Sequence, residues 1–222
     1  GSLFGALGSD LGSKLASAAP VVPKGEDELA AEELALGPEI AGRVLGARPL
    51  WNEPAAQRRV NLVGRWVASQ TSRPELPWAF GVIDAPEVNA FAAPGGYVLV
   101  TRGLYVLLTT DEELAAVLAH EIGHCVQRDH YQVIHKQELA ATGKDLAGSQ
   151  AASSTGNPAT DFARRYAEEH GAAIMLTSLD RGAEYRADES AQYYLARSGI
   201  NPLALHSVLQ KLAALGPASA GL

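Results

Sequence analysis

The chain has 222 residues, 47% hydrophobic and 19% charged, with a net charge of -7; that is enough for one well-packed core and is the composition of a globular protein. The acidic balance and the lack of any basic run argue against nucleic acid as a partner, because phosphate binding needs a basic surface. No stretch of about 18 apolar residues occurs, so no membrane span is expected, and a single cysteine, Cys125, excludes an internal disulfide.

Residues 1–25 are rich in Gly, Ala, Ser and Pro and read as an N-terminal arm, with no basic start and apolar run of the kind that marks a signal peptide. Residues 26–222 read as a single domain. From Glu26 to Leu45 the pattern is helical and acidic first, with an interruption expected at Gly37-Pro38. Asn52 suits the cap of a second helix, with Glu53 and Pro54 in its first turn and apolar positions at Val60, Leu62, Val63, Trp66 and Val67. The texture then changes. Three short strands are expected around Trp78–Ile83, Asn89–Ala92 and Tyr97–Thr101, in a largely antiparallel sheet with a tight Gly95-Gly96 hairpin between the last two.

Helices return after the sheet. Arg102–Leu108 reads as a short one. Thr110 suits the cap of a longer helix, residues 111–127, with Glu113 completing a capping box. Leu114, Val117, Leu118, Ile122, Cys125 and Val126 cover more than half of its circumference, so it is a buried helix. Residues 141–160 are small and polar and read as a mobile loop. Helical patterns resume over Pro158–Leu176 and Arg181–Arg197; Gly199 closes the latter, and Asn201-Pro202 opens a last helix to about Leu215.

The buried helix carries His120-Glu121-Ile122-Gly123-His124. Residues four apart on a helix lie about 40° from each other around the axis, so His120 and His124 can grip one metal ion. Glu121, about 100° further round, can reach a water bound there. Two imidazoles and a carboxylate base are what a zinc hydrolase needs; the bland alternative is a pair of core histidines. Downstream, Glu184 and Asp188 share a face with Ala187, Ala191, Tyr194 and Leu195. Acids on an apolar stripe need partners. A metal and its histidines would supply them, with Glu184 as third ligand and Asp188 holding the free ring N–H of a ligand histidine; a solvent-facing acid pair is the alternative. Three protein ligands leave a position open for water, the mark of a catalytic zinc site. Cys125 turns away from His124 and reads as a small buried hydrophobe. His130, His135, His170 and His206 read as surface or core histidines.

Several ordered blocks add a resemblance. His120–His124, the preceding Glu113-Leu-Ala-Ala-Val-Leu-Ala, Glu184-Tyr-Arg-Ala-Asp188, the stretch from Val88 to Leu104 and Leu195-Ala-Arg-Ser-Gly-Ile-Asn-Pro202 together resemble the gluzincin family of HtpX and the CAAX prenyl endopeptidase over roughly residues 80–215. Within it, the blocks resemble the soluble periplasmic branch of BepA-like and LoiP-like proteases; unlike HtpX and the prenyl endopeptidase, this chain lacks membrane helices, which argues against prenylated or membrane-embedded substrates. The resemblance implies an α+β, mostly helical fold. A small antiparallel sheet would pack on the buried helix and on a second helix carrying the third ligand. It implies one zinc ion per chain held by His120, His124 and Glu184, with Glu121 as catalytic base. It also implies an edge strand at Asn89 and Ala90 that pairs with substrate backbone. The expected activity is endoproteolysis of envelope proteins in quality control, in the bacterial periplasm. Protein or peptide substrates are expected, and any membrane association would be peripheral or through a lipid anchor. A chaperone-like module with a silent or capped zinc site is the alternative.

Overall fold

A computed structural model of the chain describes residues 25–145, 157–170 and 179–215. The expected arm, up to residue 24, and the middle of the expected 141–160 loop lie outside the described residues. The first described helix, α1 (Glu26–Ala47), has Glu26, Asp27 and Glu28 in its first turn, where acids favour the positive end of the helix dipole. It is not interrupted: it runs through Pro38. A proline inside a helix costs one backbone hydrogen bond, about 3 kcal/mol in isolation, and tertiary packing outweighs that cost here. At Gly37 a Cβ would collide with the Pro94 carbonyl and the Tyr97 ring, so the bare backbone is what lets α1 close on the sheet. Leu36, Ile40 and Val44 are buried in a cluster with Tyr131, Ile134, Phe162 and Tyr166.

Helix α2 (Pro54–Ala68) has Pro54 in its first turn and is capped by Glu53, one residue later than Asn52; the Glu53 carboxylate accepts from the Ala55 N–H. Val60 and Val67 are buried, whereas Leu62 and Trp66 face outward. The apolar positions of this segment therefore mark both sides of the helix. The Trp66 indole N–H donates to the Ser198 carbonyl.

The strands are β1 (Ala79–Ile83), β2 (Ala90–Ala93) and β3 (Tyr97–Thr101), in the order β1–β3–β2. The sheet is mixed rather than largely antiparallel: β2 and β3 form the expected antiparallel hairpin, but β1 pairs with β3 in parallel. The short link between β1 and β2 makes those two strands run in opposite directions, and β3 inserts between them. Its two pairings must then differ in sense. Gly95 and Gly96 have φ of 75° and 93°, the left-handed region that favours glycine, which makes the tight turn.

The chain continues through α3 (Arg102–Leu107) into the long buried helix α4 (Asp111–Gln127), with the expected bounds. Helix α4 stops because Arg128 adopts a left-handed φ of 59°. A further helix, α5 (Asp129–Asp145), begins at the next residue, so residues 141–145 of the expected loop are helical. Among the described residues, three helices follow: α6 (Pro158–His170), α7 (Arg181–Arg197) and α8 (Ala204–Ala214), the last starting two residues beyond Pro202. Asp180 caps α7 by accepting from the Ala183 N–H, and Gly199, at φ 73°, ends it. No helix among the described residues is long and apolar enough to cross a membrane.

One buried carboxylate ties these layers together. Glu33 of α1 is fully buried and accepts from both terminal guanidinium nitrogens of Arg73, Nη1 and Nη2, at 2.9 Å and pairs with Arg128 Nε at 2.8 Å. Arg73 also donates to the Cys125 carbonyl near the end of α4. Removing one partner of a buried charged network leaves the others uncompensated. Glu33→Ala should therefore lower unfolding free energy by about 3 kcal/mol, read by chemical denaturation. Removing the exposed Arg48–Glu87 pair with Arg48→Ala should leave stability nearly unchanged.

Candidate metal centre

Helix α4 is fixed at its start by paired caps. The Thr110 hydroxyl accepts from the Glu113 N–H at 3.2 Å, while the Glu113 carboxylate accepts from the N–H and hydroxyl of Thr109. The return arm of the box thus reaches one residue further back than expected. Lys211 of α8 also pairs with Glu113, and its hydrogen bond is the main cause holding that carboxyl below the usual range.

From there α4 runs through the core to the metal motif. At Gly123 it meets α7 so closely that a Cβ would lie 3.2 Å from the Ala187 Cα. This approach brings His120, His124 and Glu184 together. The two Nε2 atoms are 3.1 Å apart, and Glu184 Oε2 lies 3.4 Å from the first and 3.8 Å from the second. A tetrahedral zinc-type site with bonds of about 2.0 Å spaces its ligand atoms roughly 3.3 Å apart. The donor set therefore fits a small divalent cation, and it is the one such three-residue group among the described residues.

Each imidazole is held from behind. His120 Nδ1 lies 2.9 Å from Asp188 Oδ1, and His124 Nδ1 lies 2.9 Å from Asp129 Oδ2. A carboxylate on Nδ1 fixes the tautomer that leaves Nε2 as the ligand atom. Asp188 is where its spacing from Glu184 predicts. Asp129 is a contact that sequence reading missed: it follows the left-handed turn at Arg128, and nothing in helical spacing from His124 points to it. The signal available was a buried imidazole with one orienting acid found and one still owed.

The carboxylates concentrate negative charge at the cluster. Burial alone would lower the His120 pKa, but hydrogen bonds to Asp188 and Glu184 and the charge of Glu121 lift it to about 10. The same His120 hydrogen bond holds Glu184 below the usual carboxylate range, against partial burial. The spot thus stabilises positive charge. Glu121 is buried and shifts the other way: burial raises its pKa, the charges of His120 and His124 oppose, and Glu184 adds to the rise. A carboxylate with raised pKa suits a base that must hold a proton for part of a cycle.

The other residues singled out in the sequence fall as follows. Cys125 is buried with its thiol donating to the Ala93 carbonyl, and burial pushes its pKa up. His130 is buried with its ring 6.0 Å from that of His124, and burial together with the charge of His124 pulls it down to about 4, so it is neutral near pH 7. His135 stacks on Tyr131 and His170 on Tyr166. His206 is exposed and bonds Gln210, not the metal cluster.

Asn89 and Ala90 lie at the head of the edge strand β2, in the layer against α4. The Thr101 N–H donates to the Asn89 carbonyl, so the antiparallel alternation turns the backbone groups of Ala90 and Ala92 to the unpaired side. The Asn89 side chain takes up the Ala90 N–H at 2.9 Å, while Ala92 is buried beside a small void shared with His130 and Tyr131. The opposite edge of the sheet is closed. Gln57 of α2 donates to the Val82 carbonyl and accepts from its N–H, and Asn61 does the same at Phe80.

Comparison with known proteins agrees with this geometry. Residues 54–220 match the model of peptidase family M48. A beta-barrel assembly-enhancing protease of Yersinia pestis is 30% identical over 184 residues, which are 82% of this chain and 38% of the relative. The protein of that name in Escherichia coli strain K12 is 29% identical over 183 residues, 82% of this chain and 37% of its own length. Metalloprotease LoiP of the same strain is 32% identical over 139 residues, 63% of this chain and 53% of LoiP. The chain thus spans well under half the length of the first two relatives. Since the family match takes in the whole sheet and both helices of the metal cluster, the chain belongs to peptidase family M48.

Proposed function

We propose that this domain is a zinc-dependent endopeptidase that hydrolyses peptide bonds of protein clients. The observation that carries the reading is the convergence of His120 Nε2, His124 Nε2 and Glu184 Oε2 at 3.1–3.8 Å, with the buried Glu121 next in sequence to the first. His120, His124 and Glu184 would hold the ion. Bound zinc supplies Lewis acidity, activating water and polarising the scissile carbonyl. Glu121 takes the proton from the attacking water and later delivers it to the leaving amine. Asp188 and Asp129 keep the two rings aimed while charge develops.

Substrate backbone pairs with the head of β2. The closed β1 edge supports this assignment, because strand addition needs unpaired backbone groups. Asn89 must release the Ala90 N–H for that pairing to form. The names of the relatives and the family resemblance support envelope proteins as clients, in quality control in the bacterial periplasm, with misassembled β-barrel proteins as the first class to try.

Three experiments test this. Purified protein should hold about one zinc per chain and cleave an unfolded outer-membrane β-barrel protein, with cleavage lost on chelation and restored by zinc. Glu121→Gln should lower kcat by about 100-fold to 10,000-fold and leave zinc content unchanged; retained cleavage would remove Glu121 from the mechanism. Ala90→Pro deletes the outward N–H without touching the β2–β3 ladder. It should raise KM for an unfolded client by up to about tenfold, the worth of one hydrogen bond, with kcat kept; an unchanged KM would argue against pairing at Ala90.

A further inference from the structure

We propose that Arg186 is a positioning residue of the metal centre, acting on His124 through Asp129. The proposal rests on the zinc-site reading above. Asp129 is almost wholly enclosed, with its side chain 3% exposed. One carboxylate oxygen takes His124 Nδ1 at 2.9 Å, and the other takes Arg186 Nη2 at 3.1 Å. A carboxylate buried to this degree needs a partner for its charge. A ligand imidazole must be neutral, so it offers a hydrogen bond but no charge. Arg186 supplies the charge, and a guanidinium keeps it at any working pH.

The guanidinium is itself held. Arg186 Nε donates to the Gln127 side-chain carbonyl at 2.9 Å, and the Gln127 amide donates back to the Arg186 backbone carbonyl and to Ser190 Oγ. One planar fork therefore spans Asp129 and Gln127, joining the end of α4 and the start of α5 to α7. A lysine ammonium is a single point of charge and cannot hold both acceptors at fixed angles.

The two histidines are thus secured differently. Behind His120, Asp188 is 43% exposed and open to solvent. Behind His124, the acid is enclosed and locked by a cation. Helix α7 carries the third ligand at Glu184, the acid on His120 at Asp188, and, between them in sequence, the clamp on the acid of His124. Without Arg186, Asp129 would lose its charge partner, and the His124 ring would lose a firm Nδ1 acceptor. Loss of such an orienting contact typically weakens metal binding about 10-fold to 100-fold.

The test measures zinc affinity of the whole chain by competition with a chromophoric chelator, and the Nδ1–H resonances of the zinc-bound form by NMR. Arg186→Met should weaken zinc binding about 10-fold to 100-fold and broaden or shift one of two downfield Nδ1–H signals, that of His124, leaving that of His120 in place. Asp129→Asn, which keeps shape and removes charge, should give a similar loss. Arg186→Met added to Asp129→Asn should then cost little more. Gln127→Ala removes the other arm of the clamp but keeps the Arg186–Asp129 ion pair, so it should weaken zinc binding less than Arg186→Met does. Wild-type affinity in Arg186→Met would overturn the proposal, as would a full additional loss in the Asp129→Asn background, which would mean that Arg186 acts through helix packing. Failure of the wild-type chain to bind zinc would overturn the peptidase reading along with it.

Discussion

The contact of Gly123 with Ala187 is the constraint on which the site depends. Carboxylate and imidazole side chains are short, so a ligand from α7 can meet two ligands from α4 only if the helix backbones nearly touch. Two small residues at the crossing allow that. The rest of the packing serves this approach. Helix α4 is capped at Thr110 and pinned by Lys211 at its start, and its end is tied through Arg73 and Arg128 to the buried Glu33. A helix held at both ends cannot slide along its neighbour, and sliding by even a fraction of a turn would separate the ligand atoms.

Burial then determines the electrostatics. Four carboxylates, Glu121, Glu184, Asp188 and Asp129, stand within one or two contacts of two imidazoles. In water they would merely be solvated. In the partly closed space between α4 and α7, each must be paired, protonated or placed against a cation. The result is a division of labour by environment. Glu184 is half-exposed and held below the usual carboxylate range by His120, which suits the proposed ligand role. Glu121 is enclosed and shifted upward by burial, which suits the proposed base. Asp129 is enclosed too, but Arg186 stands against it. The same functional group, a carboxylate, serves three purposes because its surroundings differ.

Much of this could be read in the sequence where helical spacing carries the information. His120, His124, Glu184 and Asp188 declare themselves by four-residue spacing on apolar faces, and the start of α4 follows from Thr110 and its acidic first turn. The hairpin followed from Gly95-Gly96. What escaped depends on tertiary contact. Pro38 signals a break by propensity, yet α1 runs through it where Gly37 packs against Pro94 and Tyr97 of the β2–β3 hairpin. The parallel β1–β3 pairing follows from strand insertion, which no local pattern encodes. Arg128 is an ordinary residue for a helix, so neither its left-handed turn nor the start of α5 at Asp129 carries a local signal. Asp129 and Arg186 are 57 residues apart, and only the fold brings them together.

The sheet makes a related argument about substrate. A three-stranded sheet has two edges, and an open edge invites strand addition. Here the two are treated unequally. Gln57 and Asn61, four apart on α2, each use both ends of a side-chain amide to satisfy one residue of β1, and the chain at Leu50–Trp51 closes the end of that edge with a bridge to Ile83 and the Trp51 N–H on the Val82 carbonyl. On β2 the substitute is smaller: one Asn89 oxygen on the Ala90 N–H. An intramolecular bond between neighbouring residues is cheap to exchange for an intermolecular one of the same kind, because donor and acceptor both regain partners. Four amide bonds from a packed helix are not. On the proposed reading, the asymmetry would direct an incoming extended chain to β2, the strand that packs against α4, and so couple backbone pairing to the side of the sheet that faces the metal cluster.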